Sequence, residues 1–171
     1  APVPAQQLLA SLQTTVVAGV EQSGRICAEA LAASRLGTSV LLNGPTGESN
    51  RYRLLARGPV WALPRTPLGL VHQVAAALAT GNPCHVVLPA QDNGCAAAWQ
   101  ALRAAAGDAG VAWLHSADEQ SWGDAQAPIT ALLFEGDGDA LVGITTAVAA
   151  RAGAIVRVES RSSEALHAGH G

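Results

Sequence analysis

The strongest constraint on the fold is an alternation, from residue 59 onward, of short apolar runs with longer alanine-rich stretches. Runs of this kind, separated by helical stretches, are typical of βαβ crossovers in a parallel sheet. Runs that are apolar throughout indicate strands covered on both faces. The predicted strands are Val60–Leu63, His85–Leu88, Val111–Leu114, Ile129–Phe134 and Ile155–Val158, and the predicted helices are Leu68–Ala79, Gly94–Ala106 and Ala140–Ala152.

The first third of the chain has a different pattern. Residues 5–36 carry apolar side chains at helical spacing, with a break expected near Gly24 and an end at Gly37. The sequence therefore predicts a helical linker at 1–37, a Gly/Pro loop with short strands at 38–58, a Rossmann-like α/β domain at 59–160 and a loose tail at 161–171. The short strands are expected at Val40–Leu42 and Tyr52–Ala56. The predicted class is α/β, a Rossmann-like parallel sheet with flanking helices that follows a helical segment.

Composition excludes several classes of function. Of the 171 residues, 49% are hydrophobic and 13% are charged, and the net charge is −3. Such a chain is too apolar for disorder, has no basic run for nucleic acid, and has no apolar run of the ~20 residues that a membrane span needs. Because the chain begins with Ala1 and contains no methionine, we interpret it as a piece of a longer protein.

The three cysteines, Cys27, Cys84 and Cys95, predict neither a disulfide framework nor a metal site. Their number is odd, and no C-x-x-C pair starts a zinc site. Cys84 and His85 are neighbours on a predicted strand and should point to opposite faces. We expect buried or surface thiols in a reducing cytoplasm.

The loop after Phe134 is the remaining candidate for a nucleotide site, because the chain has no G-x-G-x-x-G after its first predicted strand and no P-loop. Asp137 or Asp139 can cap the following helix through the amide groups that a phosphate would use. Together with Glu135 they would also repel a pyrophosphate, since two like charges 4 Å apart cost about 4 kcal/mol at an effective dielectric of ~20. We predict a self-capped helix here, and no catalytic, cofactor-binding or metal-binding residue in the chain.

The richest motif is the loop Gly44-Pro45-Thr46-Gly47-Glu48-Ser49-Asn50, followed by Tyr52. Its glycines, proline and asparagine favour a specific turn. Glu48 and Asn50 either hold that turn by local hydrogen bonds or reach a neighbouring domain, and the sequence leaves both alternatives open.

This loop, the helical segment around Cys27, the stretch Ala147–Val156 and the Phe134-x-Gly136-Asp137 turn resemble the C-terminal domain of long proline utilization A proteins. The resemblance covers roughly residues 15–158. Members of this family are bacterial bifunctional proline dehydrogenases and L-glutamate γ-semialdehyde dehydrogenases, which use FAD and NAD to oxidise proline to glutamate. The C-terminal domain resembles an aldehyde dehydrogenase nucleotide domain.

The resemblance implies a non-catalytic domain without its own cofactor, which supports the NAD-dependent aldehyde dehydrogenase module and helps to seal the substrate channel. Its implied partners are the aldehyde dehydrogenase and proline dehydrogenase domains of the same chain, and it allows homo-oligomers through the parent. Residues Gly44–Asn50 and Tyr52 are the candidate domain interface. The implied location is the cytoplasm, where the parent can associate peripherally with the inner membrane.

Two departures from aldehyde dehydrogenases support this assignment. Their NAD loop is F-x-G-S-x-x-x-G, whereas this chain has Asp137 at the serine position and Leu141 at the second glycine position. The stretch Ser23–Ala28 resembles their nucleophile motif but precedes the βα units, so we predict that Cys27 is not catalytic. The alternatives are a separate nucleotide- or acyl-binding α/β module and an oligomerisation module.

Overall fold

Within residues 3–91, 93–118, 121, 124 and 127–162, which the computed structural model describes, the chain forms a five-stranded parallel sheet preceded by an antiparallel hairpin. The helices are α1 (Pro4–Leu12), α2 (Ser23–Ala33), α3 (Pro67–Ala79), α4 (Cys95–Ala106) and α5 (Gly138–Ala149), and a 3₁₀ helix spans Gly107–Ala112. The strands are β1 (Ser39–Leu42), β2 (Asn50–Arg53), β3 (Val60–Leu63), β4 (Cys84–Val87), β5 (Leu114–Ala117), β6 (Ala131–Glu135) and β7 (Arg157–Arg161). The predicted α/β class is confirmed.

The order of strands in the parallel sheet is β5-β4-β3-β6-β7. From the central β3, the chain adds β4 and β5 on one side and then crosses to place β6 and β7 on the other. The order of strands therefore reverses between β3 and β6, which are paired as far as Leu63 and Phe134. In open α/β sheets, ligands bind in the crevice that such a reversal leaves at the carboxyl ends of the strands.

Alternate residues of each strand face different helices, as the period of a strand requires. Val60 and Ala62 of β3, with Cys84 and Val86 of β4, belong to a large apolar cluster with α1, α2, α3 and α4. On the other face, α5 packs through Val148 against a smaller cluster built on Leu132 and Phe134. The alanine-rich helices thus cover both faces of the β3–β6 pair.

The N-terminal helices belong to the main core. Leu8, Leu9 and Leu12 of α1 are 4%, 0% and 0% exposed and lie in the larger cluster. The Gln6 amide nitrogen donates hydrogen bonds to Ser34 Oγ and to the Ala79 carbonyl, each at 3.1 Å. Because these bonds join α1 to the ends of α2 and α3, residues 4–33 share one core with the sheet.

The helical segment is divided in two, as the sequence predicts, but the break lies before Gly24 and not at it. α1 ends at Leu12, residues 13–22 connect the two helices, and Gly24 lies inside α2. A side chain at Gly24 would place its Cβ 2.0 Å from the Gln13 carbonyl oxygen. This glycine therefore permits close contact between α2 and the end of α1, and it does not end a helix.

The predicted strand Val111–Leu114 is also displaced. The chain leaves α4 at Gly107, which has a φ of +52°, and continues as the 3₁₀ helix, with Val111 66% exposed. β5 starts at Leu114, so His115 and Ser116 lie within the strand instead of after it. The apolar residues around Val111 mimic a strand, but the two glycines, Gly107 and Gly110, favour a tight turn instead.

The other predicted strands and helices are present with shifted ends. α5 begins at Gly138, two residues before the predicted start at Ala140, and β7 begins at Arg157 instead of Ile155. β2 spans Asn50–Arg53 and not Tyr52–Ala56. The predicted loose tail at 161–171 lies outside the described residues from position 163 onward. Among the described helices, none has the length and apolar character that crossing a membrane requires.

Candidate functional site

A cleft of about 620 Å³ opens at the carboxyl ends of β3, β4 and β6, where the strand order reverses. We call it the switch-point cleft. Leu63, Val87 and Phe134 bring the strand ends to it, and Ile144 lines it from α5. Arg65, which follows β3, also lines the cleft and brings a positive charge to it. A cleft of this size, lined by apolar strand ends together with polar groups, has the dimensions of a small-molecule site.

Glu135, the last residue of β6, is 0% exposed and reaches the start of α3. Its Oε2 accepts hydrogen bonds from the Arg65 and Thr66 amides at 2.7 and 2.9 Å, and its Oε1 accepts one from Thr66 Oγ1 at 2.7 Å. Thr66 Oγ1 in turn accepts from the Gly69 amide at 3.0 Å. The carboxylate therefore accepts from the two backbone amides that lead into α3 and from the side chain of its N-cap residue, Thr66.

Asp137 caps α5 in the way that the sequence predicts. Its Oδ1 accepts a hydrogen bond from the Ala140 amide at 2.8 Å. A negative charge at this end is also favourable for the helix dipole. Two of the helices that begin at this edge of the sheet, α3 and α5, therefore each have a carboxylate of the chain itself at the N-terminus.

Three aromatic rings form a row across β3, β4 and β5. The ring centroids of Trp61 and His85 are 5.2 Å apart with planes 8° from parallel, and those of His85 and His115 are 4.6 Å apart with planes 26° from parallel. Burial, and secondly the charge of His115, lowers the pKa of His85. Stacked imidazoles direct their ring nitrogens along their planes, so this pair does not converge on a metal ion. No group of three or more His, Cys, Asp and Glu in the described part of the chain could hold one.

The three thiols are buried. Cys27 lies inside α2, and burial raises its pKa to about 11. Cys84 is fully buried in β4, and the same cause raises its pKa to about 12. Because the thiolate is the nucleophile, these environments are those of inert core cysteines. They support the prediction that the Ser23–Ala28 stretch is no active site.

We expect the folded chain to resist a disulfide-exchange reagent at pH 8. A thiol with a pKa near that of Cys27 is ionised to about one part in a thousand at this pH. The reagent's coloured thiolate product should therefore form slowly with the native chain, and within the mixing time when the chain is unfolded in guanidinium. A rapid stoichiometric phase in the native chain, assigned to Cys27 by mass spectrometry, would contradict this expectation.

The motif Gly44–Asn50 is the tip of the β1–β2 hairpin, and its residues are exposed. The Glu48 amide donates to the Pro45 carbonyl at 3.1 Å, and Gly47 has a φ of +93°, which favours glycine. A Cβ at Gly44 would lie 2.7 Å from the Asn50 side-chain nitrogen. The loop thus folds locally, while Glu48 stays on the surface.

The hairpin has two distinct faces, because directly paired residues of an antiparallel ladder share a face. Val40 pairs with Tyr52 and Leu42 with Asn50, and we call their side the apolar hairpin face. Val40, Leu42 and Tyr52 are 44%, 50% and 53% exposed there. Leu41, on the opposite side, pairs with Arg51. The hairpin therefore carries uncovered apolar surface within the described chain.

The sequence singled out the hairpin tip and Asp137. It did not indicate that Glu135 accepts hydrogen bonds from the start of α3, nor that Trp61, His85 and His115 form a row. A carboxylate at the end of an apolar strand was a visible signal, since Glu is rare in full burial unless it is paired. The partners of these residues depend on the order of strands, which the sequence does not state.

Comparison with known proteins agrees with the fold. No family model matches the chain. The chain is 38% identical over 132 residues to the bifunctional protein PutA of Rhizobium meliloti and 34% identical over 134 residues to that of Salmonella typhimurium. These matches cover 77% and 78% of the chain, which spans about a tenth (10%) of the length of each relative.

Solved structures give the same result. A bifunctional proline utilization A protein superposes on 93% of the chain with a TM-score of 0.68 and 26% identity, and the match covers 18% of that protein. An NAD-dependent benzaldehyde dehydrogenase from Corynebacterium glutamicum superposes on 94% of the chain with a TM-score of 0.66 and 17% identity, and the match covers 41% of that enzyme. The second likeness is one of fold alone. The chain therefore belongs to the PutA-related domains of the aldehyde dehydrogenase fold.

Proposed function

We infer that this chain is a non-catalytic domain of a bifunctional proline-catabolic enzyme, and that it packs against the NAD-dependent aldehyde dehydrogenase module of the same polypeptide. In this role it seals the channel through which glutamate semialdehyde passes from the FAD-dependent proline dehydrogenase. The parent is a bacterial cytoplasmic protein and can form homo-oligomers.

The observation that carries the proposal is the hairpin. A two-stranded hairpin is at best marginally stable in water without a further surface to pack on. Here both strands are exposed along their whole length, and the apolar hairpin face includes Val40, Leu42 and Tyr52. Apolar side chains grouped on one exposed face indicate a surface that is covered in a larger assembly.

The residues at the switch-point cleft do not fit NAD, the cofactor that the fold implies. The pyrophosphate of a dinucleotide binds at a free helix N-terminus in folds of this type. Here Asp137 caps α5, and Glu135 occupies the start of α3. These carboxylates, with the buried and protonated Cys27, support a domain that neither binds NAD nor forms a thioester.

We expect Leu42→Asp in the full-length parent to impair channelling. A carboxylate on the apolar hairpin face would lose its water at the interface with the aldehyde dehydrogenase module and find no partner there. The interface should then loosen, and glutamate semialdehyde should escape from the channel between the two active sites. Steady NADH formation from proline should then begin only after a lag, and its early rate should fall about tenfold, as for loss of one interfacial hot spot. Stopped-flow absorbance of NADH measures both quantities.

Leu41→Asp is the matched control, because Leu41 is the adjacent leucine on the opposite hairpin face and is 63% exposed. It should leave the lag and the early rate unchanged. The separate activities, with proline and an artificial acceptor or with added semialdehyde and NAD, should survive in both variants. Coupled kinetics equal to those of the unaltered parent in Leu42→Asp would count against the interface.

A second candidate function follows from the cleft itself. Its volume of about 620 Å³ and its mixed lining of apolar and polar groups suit a small nucleotide or acyl ligand in a domain that acts alone. Calorimetric titration of the chain with NAD distinguishes the two functions. Affinity tighter than about 1 mM would favour the ligand-binding module and contradict the proposed absence of a cofactor.

A further inference from the structure

The start of α3 is built like an oxyanion site. Three donors converge there: the amides of Arg65 and Thr66 and the hydroxyl of Thr66. They lie 2.7 to 2.9 Å from the carboxylate oxygens of Glu135. Backbone amides that converge at a helix N-terminus bind phosphate and carboxylate groups through the free donors and the helix dipole. We call this set of donors the α3 cradle.

Gly69 completes the α3 cradle. A Cβ at this position would lie 1.8 Å from Glu135 Oε2 and 2.4 Å from its carboxyl carbon. Gly69 lies inside the first turns of α3, where glycine is otherwise unfavourable. The missing side chain therefore leaves room for a group of the size and charge of an oxyanion directly against the helix.

The group in the α3 cradle comes from a distant part of the chain. Glu135 is 69 residues from Thr66 in sequence, and it arrives because β6 pairs with β3 up to Leu63 and Phe134. It is fully buried, and Arg65, whose amide it accepts, lines the switch-point cleft. Arg65 is thus the residue that the α3 cradle shares with the lining of the switch-point cleft, and the Glu135 carboxylate lies buried directly beside it.

We propose that Glu135 is an internal substitute for a ligand phosphate, and that its carboxylate, by filling the α3 cradle, excludes phosphate-bearing ligands from the switch-point cleft. The proposal rests on the inferred absence of a cofactor from this domain and identifies the group that enforces it. Removal of the carboxylate should leave a cradle that takes up a free oxyanion.

The test is rescue of Glu135→Ala by inorganic phosphate. The variant loses the acceptor for two amides and a hydroxyl, so its Tm should fall in chloride. Phosphate at the same ionic strength should raise that Tm by about 3 °C more than it raises the Tm of the wild-type chain. Leu132→Ala is the matched control, because it empties a fully buried position of the same strand without exposing amide donors.

Because phosphate stabilises most proteins slightly, the difference between variants is the result that counts. Equal Tm increases in wild type, Glu135→Ala and Leu132→Ala would overturn the proposal. Glu135→Gln fills the α3 cradle with a neutral group and should show no specific rescue. If Glu135→Ala is unfolded in chloride, refolding from urea in phosphate alone supports the proposal, and failure in both buffers overturns it.

The outcomes separate this proposal from the proposed function. Failure of phosphate rescue removes the role of Glu135 as a phosphate substitute and leaves the interface role of the hairpin intact. Binding of NAD by the unaltered chain contradicts the inferred absence of a cofactor, whatever the variants do.

Discussion

Leu9→Ala is expected to lower the free energy of unfolding by about 3 to 5 kcal/mol, the range for a leucine truncated in a rigid core. Leu9 is 0% exposed and lies in the apolar cluster that α1 shares with α2, α3, α4 and the sheet. The neighbouring helices are tied to α1 through Gln6, so they cannot collapse freely into the cavity. Urea denaturation followed by circular dichroism measures the change.

The matched control is Leu55→Ala, the same truncation at a side chain that is 72% exposed. It should change the stability by less than about 0.5 kcal/mol. If Leu9→Ala proved as mild as Leu55→Ala, α1 would not be part of the cooperative core. The helical segment would then be a separate linker that only rests on the domain.

Gly69→Ala should destabilise the chain by about 3 kcal/mol or more, although alanine is the better helix former. The new methyl group would overlap Glu135 Oε2, which lies 1.8 Å from the ideal Cβ position. Either α3 moves away from the sheet or the buried carboxylate leaves its donors. Thermal and urea unfolding of the variant should both show this loss.

Gly143→Ala is expected to change the stability in the opposite direction from Gly69→Ala. Gly143 is also helical, but an added Cβ there meets nothing within 4 Å, so this change should stabilise the chain by about 0.5 to 1 kcal/mol. In a Glu135→Ala background the overlap is gone, and the cost of Gly69→Ala should fall below about 1 kcal/mol. Additive effects of the two substitutions would mean that Gly69 and Glu135 are not coupled.

Local patterns predicted most of the elements. The βα alternation after residue 59, the end of the N-terminal helical segment before Gly37 and the cap at Asp137 all follow from residues close in sequence, and the structure contains them. The errors arose where a local signal had a tertiary cause. The helix break expected near Gly24 lies at residues 13–22, and Gly24 itself is required by contact with the Gln13 carbonyl.

The candidate sites also differ in whether residues close in sequence or tertiary contacts form them. The hairpin tip at Gly44–Asn50 was identifiable because turn residues act on their own backbone. Whether its apolar face meets the dehydrogenase stays a prediction. The stacking of His85 between Trp61 and His115 could not be foreseen, because it depends on the register of three strands that lie far apart in sequence.

The amino-acid sequence by itself determined the α/β class, the order of the elements and the acidic character of the loop after Phe134, since periodicity, capping and charge are local properties. Only the tertiary structure decided what those carboxylates do. Asp137 caps the helix that it precedes, whereas Glu135 reaches a helix 69 residues earlier in the chain. The pairing of β3 with β6 brings Glu135 there, and the absence of a side chain at Gly69 leaves the space for it.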